Sequence, residues 1–284
     1  MITEGEDRFI QTVVSVVKKG SSRPITAIAS DGQAVFVKLN GGLSSPTAAI
    51  SEMLSRAIGR AIGLPIIEMS LITLDHRADT SRVDTEVRDL LQKSYGLNTA
   101  SVFYPDAIDV DLLNDSVIHT PVRERVFIYD LLLMNVDRSF ANSNLLHIGT
   151  SEYSIDYEAS FMVMGALHAK DYLSSDAVRR ALRHNPLYRP GITDESIARE
   201  FDALAEVDIA SIVMKIPDAW FMFLSTDAGD CKRKLIKSIT QHITNKDGYI
   251  ELYRQLESIE FISEQERKRR NLENRNRFAA KYTL

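Results

Sequence analysis

The sequence has little of several features that would point to particular classes of protein. Its one cysteine, Cys231, excludes an internal disulfide and a cysteine metal cluster. The longest strongly apolar stretch, Val126 to Val136, is interrupted by Asp130 and is far shorter than the roughly 20 residues that a transmembrane helix needs. The N-terminus is acidic and lacks the basic-then-apolar layout of a signal peptide, so we expect a cytoplasmic protein without a membrane span.

Several catalytic motifs are also missing. The six histidines show no metal-ligand spacing, and neither H-E-x-x-H nor a paired C-x-x-C occurs. No G-x-S-x-G segment is present, so nothing supports a serine hydrolase. The absences therefore argue against zinc enzymes and hydrolases of these types.

The composition is that of an ordinary globular protein. The chain has 284 residues, of which 44% are hydrophobic and 26% charged, enough for one large domain or two lobes. The net charge of −5 disfavours a general nucleic-acid binder. The tail from Arg267 to Lys281 is locally basic, which favours a solvated helix end, with binding of an acidic partner or nucleic acid as the alternative.

The first part of the chain predicts a small sheet and one helix. β-Branched and apolar residues predict strands at Phe9–Val17, Ile25–Ala29, Ala34–Leu39 and Ile66–Leu74. Apolar residues between Ile50 and Ile62 recur at three- and four-residue spacing, which predicts a helix with one buried face. Gly63 follows where a helix stop is expected.

Most of the remaining chain predicts helix. Residues 76–90 are dense in charge and predict an exposed loop or surface helix. Further helices are predicted at Arg123–Met134, Ser175–Arg183, Asp194–Leu204, Asp230–Ile243 and Tyr249–Ile259. We therefore predict an α+β fold of two lobes, a mixed N-terminal lobe (residues 1–75) and a larger helical C-terminal lobe (residues 76–284).

Two polar segments of the C-terminal lobe carry the pattern of a phosphotransferase. Residues 135–146 contain Asp137 and Asn142 at the D-x-x-x-x-N spacing of a kinase catalytic loop. Residues 153–157 then place Asp156 at the end of a short apolar strand, where kinases carry a metal-binding aspartate. We expect Asp137 to orient or deprotonate an acceptor hydroxyl, and Asn142 and Asp156 to supply oxygen ligands for Mg²⁺.

The N-terminal lobe offers a cation for nucleotide phosphates. Lys38 stands alone among apolar neighbours in the third predicted strand and would reach the phosphates of ATP. Glu52, in the following helix, would hold this lysine by an ion pair. Lys38 and Glu52 also have plainer interpretations, as a solvent-facing strand residue and as the surface partner of Arg56 at i+4.

Taken together and in order, these segments resemble the HipA-like kinase family, a divergent branch of the protein-kinase-like fold. The loop is also similar to that of type II phosphatidylinositol 4-kinases. The segments that carry the resemblance are Phe36-Val37-Lys38, Ser51-Glu52, Ile62-Gly63-Leu64-Pro65, Asn135-x-Asp137-Arg138-x-x-x-Asn142-x-Asn144-Leu145-Leu146 and Ile155-Asp156-Tyr157. The resemblance implies ATP- and Mg²⁺-dependent phosphorylation of Ser or Thr in a protein, autophosphorylation, and a toxin-type or regulatory role with an antitoxin or regulatory partner.

The sequence departs from typical protein kinases at three points. It has no G-x-G-x-x-G, and the family's shorter loop is matched by Gly20, Ser21 and Ser22, whose backbone N–H groups would cradle phosphate. No glycine follows Asp156, and Asn135 stands where His-Arg-Asp kinases carry histidine. These departures leave open the interpretation that the protein is an inactive relative of these kinases.

Other interpretations of the loop and of the function stay open. Asp137 and Asn142 are residue types that cap helices in loops, Asn144 would bond the loop backbone or assist the metal, and Arg138 would brace the loop. The acceptor is not encoded in the nucleotide-handling segments, so a lipid or small-molecule kinase is one alternative. A non-catalytic pseudokinase that binds nucleotide or a protein partner is the other.

Overall fold

A computed structural model describes residues 8–17, 23–41, 45–113 and 120–261, together with Glu266 and Arg269. The predicted phosphate loop at Gly20, Ser21 and Ser22 lies outside these ranges. So does nearly all of the predicted basic tail.

An antiparallel sheet of five strands forms the N-terminal part of the protein. Its spatial order is β1-β2-β3-β5-β4. The strands are β1 (Ile10–Val16), β2 (Ile25–Ala29), β3 (Ala34–Lys38), β4 (Ser70–Leu74) and β5 (Gly96–Val102). The strand predicted at Ile66–Leu74 is thus shorter than expected, since only its second half pairs along the sheet.

Backbone hydrogen bonds bring the two edges of this sheet together. The Thr73 N–H donates to the Arg8 carbonyl at 2.9 Å, beside β1. Farther along, the Val13 N–H donates to the Asp79 carbonyl and the Asp79 N–H to the Gln11 carbonyl, both at 2.9 Å. Because edge strands otherwise present unpaired N–H and C=O groups, this closure satisfies them internally.

The closed sheet encloses its own apolar core, and Lys38 lies on the other face of β3. Val35 and Val37 belong to this core together with residues of β1, β2, β4 and β5. Side chains alternate along a strand, so Phe36 and Lys38 point to the opposite face. Lys38 is nevertheless buried, which means that the rest of the chain covers this outer face.

The predicted helix is α1 (Pro46–Ala61). It begins at Ser45, whose Oγ accepts the Ala48 N–H, and Pro46 occupies the first turn, where a missing N–H costs nothing. Its apolar face packs into the core of the helical part of the protein rather than into the core of the sheet. The helix therefore connects the β3 lysine to the C-terminal lobe.

Eight further helices follow β5, and one precedes it, among the described residues. The helix before β5 is α2 (Thr85–Lys93), a mostly exposed surface helix as the charge density of residues 76–90 predicts. The later ones are α3 (Pro121–Leu133), α4 (Phe161–His168), α5 (Asp176–Arg183), α6 (Asp194–Ala205), α7 (Ile209–Met214), α8 (Asp218–Phe221), α9 (Ala228–Thr244) and α10 (Lys246–Glu257). Helix is found in every predicted helical segment, and the α+β class is confirmed.

A second antiparallel sheet, of three strands, includes the strand that follows the predicted catalytic loop and the strand that precedes Asp156. Its strands are β6 (Ile108–Asp109), β7 (Leu145–Ile148) and β8 (Ser151–Ser154), in that spatial order.

In the described ranges we find no helix with the length and apolar character that a membrane crossing demands.

The predicted lobe boundary at residue 75 stays a prediction, but β5 bears on it. This strand, formed by residues 96–102, lies between β3 and β4 in the sheet. The N-terminal sheet thus draws on residues beyond residue 75, while α1 shares its core with the later helices.

Gly41 provides a test of how β3 is anchored. A Cβ at this position would lie 1.9 Å from the Lys93 carbonyl oxygen at the end of α2. Because backbone cannot yield as a side-chain tip does, we expect Gly41→Ala to lower the free energy of unfolding by about 1–3 kcal/mol. Gly229→Ala, at the exposed start of α9, is the matched control and should cost less, because its Cβ would meet only side-chain atoms, the nearest an Asp227 carboxylate oxygen at 3.2 Å. Urea denaturation of both variants measures this, and equal stability of the two would contradict it.

Candidate active site

The predicted catalytic loop lies between α3 and β7. Helix α3 ends at Leu133, and Met134, which caps it, has a left-handed backbone (φ 51°). A tight turn follows, in which the Ser139 and Asn142 backbones exchange hydrogen bonds of 2.9 and 3.1 Å. The turn leaves Asp137 open to solvent, although the surrounding loop partly desolvates its carboxyl group.

Arg138 holds the loop from the inside. Its fully buried guanidinium donates to the Asp130 carboxylate at 2.6 Å and to the Ser143 and Asn144 carbonyls at 2.8 and 2.7 Å. A further hydrogen bond of 2.6 Å reaches the Ser154 hydroxyl at the end of β8. Arg138 therefore braces the loop and ties it to the strand that precedes Asp156.

The Asp130 carboxylate anchors this brace, and sequence reasoning missed it. The Asn135 and Asn185 side-chain amides donate to it at 3.0 and 2.9 Å, in addition to Arg138. Asp130 is the charged residue that interrupts the apolar stretch Val126–Val136, and a charge inside an apolar helix is itself a signal of a buried ion pair. Nothing in the sequence around Asn185 indicates its part.

Two asparagine amides surround the Asp137 carboxylate. The Asn144 amide donates to it at 3.1 Å and the Asn142 amide at 3.4 Å. Partial burial of the carboxyl raises the pKa of Asp137, and the nearby Asp156 charge adds to this, although the Asn144 hydrogen bond and Lys38 oppose it. A raised pKa makes this carboxylate a better proton acceptor, as a general base requires.

Asp156 has a left-handed backbone, with φ of 62°. Asn144 has the same unusual conformation (φ 51°), and its carbonyl accepts the Ile155 N–H at 3.0 Å. Asp and Asn tolerate this conformation better than other L-residues do. Residues in sparsely populated backbone regions cluster at functional sites, and here two adjoining segments of the predicted site share one.

The Lys38 amine brings the N-terminal and C-terminal segments together. It lies 3.0 Å from an Asp156 oxygen, 3.4 Å from a Glu52 oxygen and 2.8 Å from a Glu158 oxygen. These carboxylates outweigh the effect of burial and raise the pKa of Lys38. Lys38 is thus a buried, permanently charged group and not a solvent-facing strand residue.

Glu52 is the fully buried carboxylate of this cluster. The Arg56 guanidinium donates to it at 2.7 Å, and the Tyr157 backbone N–H donates to its other oxygen. Burial alone would favour the neutral acid, but Arg56 and Lys38 prevail and lower the pKa of Glu52 to about 2. The predicted pair with Arg56 exists, but in the interior rather than on the surface.

Tyr157 fastens the Asp156 segment to α1 and to the loop. Its carbonyl accepts the Ser51 hydroxyl at 2.9 Å, beside the Glu52 contact to its N–H. Its buried ring packs edge-on against Tyr129, with centroids 5.7 Å apart, and the Arg138 guanidinium lies 5.3 Å from its centroid. The position of Asp156 is therefore set by packing on both sides.

The structure thus brings most of the predicted residues together, in two groups. In the first group the Lys38 amine contacts the carboxylates of both Glu52 and Asp156. Asp137 and Asn142 form the second group, and the charges of Lys38 and Asp156 act on the pKa of Asp137. Sequence reasoning missed Glu158, although its position two residues after Asp156 indicates that it lies near the site.

The residues at the site suit nucleotide and a hard divalent cation. In the described part of the chain no three His, Cys, Asp or Glu side chains are placed to hold a metal between them. Mg²⁺ usually takes only one or two carboxylates and completes its shell with water and phosphate oxygens. Asp156 and the Asn142 amide offer oxygens of this kind, and Lys38 offers a charge for phosphate.

Comparison with known families identifies the family of this chain. The sequence profile of the HipA-like kinase family matches residues 10–249, and the fold is that of a protein-kinase-like phosphotransferase. The chain belongs to this family, as its motifs predict. Comparison with curated proteins gave no match.

Solved kinase structures are similar to the chain at low identity. The Helicobacter pylori proinflammatory kinase CtkA has 14% identity and a TM-score of 0.45, and the match covers 83% of this chain and 98% of that one. The Golgi casein kinase has 10% identity and a TM-score of 0.44, covering 87% and 72%. A second Golgi casein kinase structure, with Mn and ADP bound, has 12% identity and a TM-score of 0.42, covering 86% and 73%.

The brace around Arg138 yields a stability prediction. Arg138→Met leaves the buried Asp130 carboxylate without its ion-pair partner, which typically costs about 3–5 kcal/mol. Arg254→Met breaks an exposed pair with Asp194 and should cost less than about 1 kcal/mol. Chemical denaturation compares the two variants. If Arg138→Met is no less stable than Arg254→Met, the buried pair does not hold the loop.

Glu52 yields a prediction for the pH dependence of stability. A carboxylate whose pKa is lower in the folded state stabilises the fold above its ordinary pKa, and this stability is lost as the pH falls through the folded-state pKa. For Glu52 the interval runs from 4.5 down to about 2. We expect Glu52→Gln to be less stable at neutral pH and to lose less stability over that interval than the wild type. Urea unfolding across this range measures both, with exposed Glu251→Gln as control, and parallel curves for wild type and Glu52→Gln would contradict the assignment.

Proposed function

We propose that the protein transfers the terminal phosphoryl group of ATP, with Mg²⁺, to an alcohol group. The contact that carries this proposal is the 3.0 Å pair between the Lys38 amine and the Asp156 carboxylate. It joins a sheet residue to the segment after the predicted catalytic loop, 118 positions apart in sequence. Phosphoryl transfer depends on positioning and charge rather than on covalent partners, so such convergence is what the chemistry needs.

Lys38 and Glu52 are proposed to serve the nucleotide. The buried, charged amine of Lys38 would hold phosphate oxygens, and Glu52 would keep the amine in place through its own fixed position on α1. The phosphate loop expected at Gly20, Ser21 and Ser22 would cover the phosphates from the other side. This last role rests on the sequence alone.

Asp156 and Asn142 are proposed to hold the metal. When bound, Mg²⁺ would neutralise charge that develops on the transferring phosphoryl group. The left-handed backbone of Asp156 and the anchoring of Tyr157 keep this carboxylate directed toward Lys38. Its orientation is thus prepared before any ligand arrives.

Asp137 is proposed to orient the acceptor hydroxyl and receive its proton. It is open to solvent, whereas Arg138 and Asn144 beside it are buried, so an acceptor can approach it from solvent. Its raised pKa and the two asparagine amides support this role. The acceptor itself we propose to be Ser or Thr of a protein, with autophosphorylation included.

The wider setting is proposed from the family resemblance. We propose a cytoplasmic enzyme with a toxin-type or regulatory role and an antitoxin or regulatory protein partner. A lipid or small-molecule acceptor is the first alternative. A pseudokinase that binds nucleotide without turnover is the second, and the following experiment separates it from the enzyme.

The roles predict different kinetic effects. Asp137→Ala should lower phosphoryl transfer by roughly 10²-fold or more, the scale for losing a positioned acid–base group, and leave MgATP affinity nearly unchanged. Lys38→Ala should weaken both affinity and turnover, because its contact is already made in the ground state. Asp156→Asn should abolish turnover while the fold stays intact. Calorimetry measures affinity and labelled ATP measures transfer to protein in a cell lysate.

The exposed variant Asp202→Asn is the matched control and should behave as the wild type. Nucleotide binding without turnover in the wild type would favour the pseudokinase. If Asp137→Ala loses affinity while Lys38→Ala keeps it, the proposed roles are wrong. Wild-type ATP consumption by Asp156→Asn would remove this residue from the metal site.

A further inference from the structure

The Lys38 ammonium group has as many carboxylate partners as it has donors. A lysine side chain carries three N–H groups. Glu158, Asp156 and Glu52 place carboxylate oxygens 2.8, 3.0 and 3.4 Å from its nitrogen. A phosphate oxygen can therefore reach this amine only if one of the three carboxylates withdraws.

The three carboxylates are not equally free to withdraw. Glu52 is fully buried and is held by Arg56 and by the Tyr157 N–H. Asp156 sits on a left-handed backbone and is proposed above to face the metal. Glu158 has Lys38 as its one ion-pair partner among the described residues, and its side chain is 24% exposed.

The backbone around Glu158 is anchored, so only its side chain can move. On one side, both backbone groups of Tyr157 are engaged by Ser51 and Glu52. On the other, Ser160 caps α4 and donates to the Leu133 carbonyl at 3.1 Å. Rotation of the Glu158 side chain toward solvent releases Lys38 without disturbing either anchor.

We propose that Glu158 is a positioning residue that holds the Lys38 amine and yields it to the nucleotide, and that this exchange sets the affinity for MgATP. The inference rests on the proposed function and adds to it a residue that limits nucleotide affinity. Glu158 opposes phosphate binding in two ways. It occupies an N–H donor of Lys38, and its negative charge repels the incoming phosphate.

Glu158→Gln tests this in the full chain. The substitution keeps the shape of the side chain and removes its charge, so we expect the MgATP dissociation constant to fall by about tenfold. KM for MgATP should fall with it. Glu124→Gln is the matched control, because Glu124, like Glu158, is a partly buried carboxylate with one cationic partner, here Arg189, and lies about 15 Å along α3 from the loop. Its affinity should equal that of the wild type.

Calorimetry with and without Mg²⁺ distinguishes the outcomes. Unchanged affinity of Glu158→Gln would overturn the inference, as would a loss confined to the Mg²⁺ titration, which would make Glu158 a metal ligand. Absence of nucleotide binding in every variant would overturn the proposed function and this inference with it, whereas binding by Glu158→Gln alone would support the inference. Thermal unfolding checks that each variant is folded, and Glu158→Ala should repeat the gain in affinity.

Discussion

The buried carboxylate of Glu52 is the group on which the arrangement of the site depends. A charge removed from water is tolerated only when it is paired and hydrogen-bonded, because an unpaired one costs several kcal/mol (on the order of 3–5). Glu52 finds its partners on three separate segments: Lys38 on β3, Arg56 on its own helix and the Tyr157 N–H beyond β8. The pairing of the Glu52 charge therefore fixes the sheet, α1 and the Asp156 segment relative to one another.

A second buried ion pair, between Asp130 and Arg138, does the same for the loop. It fixes the Ser143 and Asn144 carbonyls and the end of β8. The two networks meet at Tyr157, whose N–H bonds to Glu52 and whose ring lies beside Arg138. Asp137 is thereby presented on a scaffold in which the buried charges of these two networks are paired.

Local patterns were sufficient for β1 to β4, for α1 and for the order of the site segments, but they did not predict β5, β6 or β7. The apolar spacing from Ile50 to Ile62 predicts α1, and the alternation around Lys38 predicts β3, because helix and strand periodicities are properties of short stretches. The D-x-x-x-x-N spacing likewise predicts the loop, since both residues come from one turn. The roles of Gly20, Ser21 and Ser22 stay predictions.

Sequence by itself determined the α+β class, the kinase-like order of motifs and the presence of Lys38, Glu52 and Asp156 in those motifs. Only the tertiary structure decided that β5 enters the sheet between β3 and β4, that α1 packs with the helical lobe, and that Asn185 and Glu158 join the two networks. These features are contacts between residues far apart in the chain. Which distant side chains meet is settled by how the layers pack and by the need to pair each buried charge, and no local pattern encodes either.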